Sequence, residues 1–121
     1  MRNNQGFTLI ELIAVIAILA ILAATAVPQF VDLRDDAATA SVQGVAGALS
    51  SASALNYAKS VSPTGGGTAV ANCTAVAALL QGGALPTGYT ITAAAVAAGA
   101  TVTCVLNGPR SKSANFTAIG V

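Results

Sequence analysis

Few side chains in this 121-residue chain can do chemistry, and their positions narrow the choice further. The acids are Glu11, Asp32, Asp35 and Asp36, the cations are Arg2, Arg34, Lys59, Arg110 and Lys112, and there is no histidine. With every carboxylate before residue 37, no acid/base pair, nucleophile triad or metal cluster can be assembled, so the chain is expected not to be an enzyme and to need no cofactor. Cys73 and Cys104 without histidine fall short of a zinc site. They read instead as a structural disulfide, which closes a loop of about 30 residues and contributes roughly 3 kcal/mol if unstrained. Pairing requires export, because the cytosol keeps thiols reduced.

Glu11 is the one side chain whose setting demands an explanation. It lies in a stretch, GFTLIELIAVIAILAILAATAVP from Gly6 to Pro28, that is apolar from Phe7 to Val27 except at Thr8, Glu11 and Thr25. At about 1.5 Å per helical residue the run reaches roughly 30 Å, the thickness of a bilayer's hydrocarbon core. A carboxylate in that setting is costly and asks for a partner. The alternative is that it snorkels to the interface, about one turn from the helix end. Arg2 ahead of the span and no other cation before Arg34 place the start of the chain inside the cell and its bulk outside. An ordinary secretory signal competes with this reading, since Ala24-Thr25-Ala26 has the small-x-small form of a signal peptidase site. Against it stand Glu11 and the length of the apolar run.

The residues Gly6-Phe7-Thr8-Leu9-Ile10-Glu11, followed at once by LIAVIAILAILAATAVP, resemble the N-terminus of a type IV pilin or pseudopilin. The close resemblance covers roughly residues 6 to 60, where FVDLRDDA from Phe30 and ALNYA from Ala54 are similar to pilins of the mannose-sensitive haemagglutinin type. The resemblance implies a leader over residues 1–6, cleavage between Gly6 and Phe7 by a prepilin peptidase, and methylation of the new Phe7 amine. It also implies that Glu11 serves assembly. On a helix Glu11 shares a face with Phe7 four residues earlier, so the freed amine, its own or a neighbour's, offers the carboxylate its partner. The major pseudopilins of type II secretion share this N-terminus but carry a calcium site in their C-terminal region. That site needs carboxylates, and this chain has none there.

The elements that position these residues follow from the pattern. Residues 7–30 form the membrane or filament-core helix, and residues 31–121 a periplasmic or extracellular domain that includes the amphipathic half of the helix. Pro28 removes a backbone hydrogen bond and is expected to bend or interrupt the helix. Beyond it, Ala38, Val42, Val45, Leu49, Ala52 and Leu55 recur at spacings of three and four, with Thr39, Gln43, Ser50 and Ser53 on the solvated side. Gly44 and Gly47 weaken this helix by about 1 kcal/mol each and fit close packing against a sheet or neighbouring helices. The helix ends near Ser60, before VSPTGGG. Asn72 caps a short helix from Cys73 to Gln81, stopped by Gly82 and Gly83. Strands are predicted at Tyr89–Thr92, Thr101–Leu106 and Asn115–Ile119, with a turn opened by Asn107-Gly108-Pro109. The predicted fold is α+β and pilin-like: a long N-terminal helix, kinked near Pro28, packed against a small antiparallel sheet.

With only 7% charged residues and a net charge of +1, no nucleic-acid surface is indicated by charge balance. Arg110 and Lys112 read as a solvated loop. The glycosylation-like triplets at Asn72 and Asn115 are treated as coincidental in a chain with a bacterial-type leader. The expected function is that of a structural pilin precursor. It would be held in the bacterial inner membrane, processed by the prepilin peptidase, and assembled by the pilus machinery into a homo-oligomeric extracellular filament for adhesion, motility or related surface roles. The alternatives are a type II secretion pseudopilin and a monomeric exported binding module.

Overall fold

A computed structural model of the chain describes residues 5–121. Arg2, on which the expected orientation rests, and the leader residues before Gln5 lie outside them. The elements in order are α1 (Leu9–Ser60), a 3-10 helix (Cys73–Leu79), β1 (Thr90–Ile91), β2 (Thr101–Asn107), a 3-10 turn (Pro109–Ser111) and β3 (Ser113–Ile119). The chain divides into two compact units, the first ending at Asp35 and the second comprising Asp36–Val121. The expected α+β class, with a long N-terminal helix and a small antiparallel sheet, is what the structure has.

In the first unit α1 carries its large apolar side chains, from Leu9 and Ile10 to Val27 and Phe30, exposed. It is one helix long and apolar enough to cross a membrane, by length and composition. Helix runs through Pro28 without interruption. Proline's fixed φ suits a helix and its ring removes a single hydrogen bond, so the neighbouring bonds carry the helix across. The hydroxyl of Thr25 donates to the Leu22 carbonyl at 3.0 Å one turn earlier.

The second unit is built on the later turns of α1. Val42, Ala46 and Leu49 form one core cluster with Val70, Cys73, Val76, Val96, Cys104, Leu106, Phe116 and Ala118. The buried stripe follows Ala38, Val42, Ala46 and Leu49, then becomes polar at Ser53 and Asn56. This departs from the expected apolar face in its second half: Leu55 is 69% exposed, and Asn56, 6% exposed, takes the inward position. The reason is hydrogen bonding. The Asn56 amide donates to the Thr68 carbonyl at 2.8 Å and its carbonyl oxygen accepts from the Thr68 N–H at 2.8 Å, pinning the chain after Ser60 back to the helix.

Ser50 and Ser53, expected in solvent, face the sheet instead. The sheet order is β1-β2-β3, antiparallel throughout, which leaves β3 as an edge. An edge strand presents unpaired N–H groups that cost free energy if buried without partners. Here the Thr117 N–H donates to Ser50 Oγ at 3.0 Å and the Ile119 N–H donates to Ser53 Oγ at 2.8 Å. Two small hydroxyls thereby let a helix lie close to a strand edge. Gly44 and Gly47 do not pack against the sheet, since a Cβ at either would meet nothing within 4 Å.

The strands lie close to where alternation places them. Cys104 and Leu106 of β2 and Phe116 and Ala118 of β3 point into the core, with Cys104 opposite Phe116 and Leu106 opposite Ala114. β1 is shorter than expected, although the Thr92 N–H still donates to the Val105 carbonyl at 3.0 Å. Asn72 caps as expected, its side-chain oxygen accepting from the Thr74 N–H at 3.1 Å. The short helix it opens is a 3-10 helix and ends at Leu79, before the expected Gln81. Held at both ends, by the Cys73 N–H to Ala94 carbonyl bond and by the extended backbone of Leu80, so short a segment tightens to i to i+3 bonding. At Gly108 the main chain passes so close to Val42 and the Tyr89 ring that a Cβ would strike both.

Candidate functional site

The N-terminus of α1 begins with a local bonding circuit. Thr8 is the last residue before the helix, and Glu11 stands in its first turn. The Thr8 N–H donates to Glu11 Oε2 at 2.8 Å, the Thr8 hydroxyl donates to the same oxygen at 2.9 Å, and the Glu11 N–H lies 3.3 Å from Thr8 Oγ1. This is a capping box, in which a threonine and a glutamate three residues later satisfy each other's orphan donors. Sequence reasoning missed Thr8. The Thr-x-x-Glu spacing just ahead of an apolar run was the signal that identifies it.

Phe7 precedes the helix and is 94% exposed. The expectation that helical spacing sets it over Glu11 therefore needs correction, because the turn that joins them is the cap at Thr8. The two residues nonetheless line one shallow groove, together with Leu12, Ala14 and Val15. Gly6 and Phe7 lie in an exposed, non-helical segment, and nothing stands within 4 Å of a Cβ built at Gly6. A bond so placed is open to a peptidase.

Chemically, the arrangement holds a carboxylate at the helix start, where the N-terminal dipole and the Thr8 donors favour a negative charge. One carboxylate oxygen takes both Thr8 bonds, which leaves the other able to accept from a cation. The deciding observation is a match of residues 1–27 to the family model described as the prokaryotic N-terminal methylation motif. The chain carries the class III leader of type IV pilins and pseudopilins. A leader of this kind ahead of an apolar helix fits a membrane-anchored form. No curated protein and no solved structure matches the chain.

Away from this leader and helix start, the other chemically capable residues are dispersed. Cys73 and Cys104 form a disulfide with their Cα atoms 5.8 Å apart, tying the 3-10 helix to β2 in the core. Arg110 and Lys112 sit at the β2–β3 connection, where Arg110 adopts φ 57° and the Gly108 N–H donates to the Lys112 carbonyl at 2.8 Å. No group of three or more potential metal ligands occurs among the described residues.

Proposed function

We propose that this chain is the precursor of a structural type IV pilin, cleaved between Gly6 and Phe7, methylated at the Phe7 amine and polymerised through its N-terminal helix into an extracellular filament. The observation that carries the reading is the methylation motif over residues 1–27, joined to a helix whose apolar side chains from Leu9 to Phe30 are exposed in the single chain. Such a surface needs lipid before assembly and protein after it. Residues 1–6 are the leader, 7–30 the membrane and filament-core segment, and 31–121 the domain displayed outside.

Glu11 is the assembly residue of this reading. Thr8 holds its carboxylate in the precursor, and cleavage then creates a cationic amine on Phe7 of each copy. In an apolar bundle an unpaired ion is expensive, so a subunit settles where the carboxylate meets an amine. Once subunits leave the bilayer, burial of apolar helix surface stabilises the bundle by about 25 cal/mol per Å² wherever neighbours replace water. Inside lipid that gain vanishes, and extraction falls to the assembly machinery. The lack of any carboxylate after Asp36 favours a pilus over a calcium-bearing pseudopilus.

The test is electron microscopy of purified surface filaments together with the mass of the subunit's N-terminal peptide. The reading expects filaments built of a chain that begins at methylated Phe7. A mature chain beginning at Val27, or a processed chain that stays monomeric, would overturn it.

A further inference from the structure

The second unit has an open groove of roughly 760 Å³ along the flank of α1 that its own core leaves uncovered. Val45, Ala52 and Leu55 of α1 form one wall, Leu79 and Pro86 the facing one, and Lys59 stands at the end nearest the helix C-terminus. Spacings of seven, three and four set Val45, Ala52, Leu55 and Lys59 along one face, so the groove has an apolar wall with a cation at one end, and Ser51, Thr68 and Gln81 add polar groups to its lining. The same chain carries a ridge of matching character earlier on α1. Phe30 and Leu33 are both exposed, and Asp36, exposed and three residues after Leu33, lies on the flank of that ridge. Arg34, four residues after Phe30 and two before Asp36, lies on the opposite flank of the ridge from Asp36.

We propose that the groove is an interface between copies: it receives the Phe30–Leu33 ridge of a second copy of this chain, whose Asp36 pairs with Lys59. The inference rests on the filament reading and names a contact within it. A stretch of helix does not fold back onto its own flank, so the ridge in the groove comes from another molecule. With Asp36 at the Lys59 end, the two helices run parallel and are displaced along their axes by about 34 Å at 1.5 Å per residue. The surfaces are different patches on each copy. Such a heterologous contact, repeated with a translation along the axis, does not close and generates a filament.

Zero-length carbodiimide cross-linking of assembled filaments, followed by peptide mass spectrometry, tests the pairing directly. Asp36 and Lys59 of a single helix are about 34 Å apart and cannot be joined within one chain, so an Asp36–Lys59 cross-link reports two copies. The cross-link is expected, and cross-links from Lys59 only to other carboxylates or to another protein would overturn the interface. In cells that assemble the full chain, Lys59→Glu and Asp36→Lys are each expected to lose most filaments, and the double exchange to restore them. Filaments at native yield in both single variants, or no restoration in the double, overturn the interface while the filament reading stands. Absence of filaments from the unaltered chain overturns both.

Discussion

Thr8 and Glu11 bond to each other in both directions: Glu11 Oε2 accepts from the Thr8 N–H and the Thr8 hydroxyl at 2.8 and 2.9 Å, while the Glu11 N–H lies 3.3 Å from Thr8 Oγ1. A single pair therefore starts the helix and holds the carboxylate in place.

Replacing Thr8 with valine keeps the backbone donor and removes the hydroxyl. The cap weakens, and the first turn of α1 is expected to open more often. Amide hydrogen exchange of the full chain in detergent micelles reads this at Leu12, whose N–H bonds to the Thr8 carbonyl at 3.3 Å. Faster exchange confined to that turn is the expected result. Unchanged exchange would mean that the cap does not hold the helix start.

Ser53 is fully buried, and its hydroxyl accepts from the N–H of Ile119 at the open edge of β3. Ser53→Ala leaves that N–H without a partner and is expected to destabilise the folded chain by about 1–3 kcal/mol. Ser51→Ala, two residues away on the exposed side, is expected to have little effect. Urea unfolding followed by circular dichroism compares the two.

At Asn56 the chemistry of the pair can be split. Asn56→Asp keeps the acceptor for the Thr68 N–H but sets a carboxylate oxygen against the Thr68 carbonyl, where the amide had donated at 2.8 Å. A loss of at least about 1–3 kcal/mol is expected, because a buried acceptor loses its donor and a charge is buried beside it. The same unfolding experiment measures it, and a neutral result would contradict the inward placement of Asn56.

The disulfide links residues separated by 31 positions and lies in the core. Its reduction, or the change of both cysteines to alanine, is expected to lower stability by roughly 3 kcal/mol through the freed chain entropy of the unfolded state. A urea midpoint that does not move on reduction would contradict this.

These residues also show how far the sequence could be read. Alternation in β2 placed Cys104 and Leu106 inward, and turn residues bounded the strands, because a two-residue period is written directly into side-chain types. The end of α1 near Ser60 was legible because the proline and glycines of VSPTGGG do not continue a helix. The second half of its buried face was not. Ser53 and Asn56 face inward because of a strand edge and a loop distant in sequence, and helical periodicity carries no record of such partners. Leu55 had the right type for the core and the wrong angle, and its exposure leaves it for the groove. At the site, Gly6, Phe7 and Glu11 stood out by type and setting. Thr8 was passed over because a threonine before a long apolar run looks like one polar interruption among three, although its spacing to Glu11 was in plain view.

The role of Glu11 in assembly is tested most directly by Glu11→Ala in the full chain, with membrane insertion, leader cleavage and surface filaments measured in the same cells. Insertion intact and filaments sharply reduced is the expected result. Filaments at the native level would contradict it.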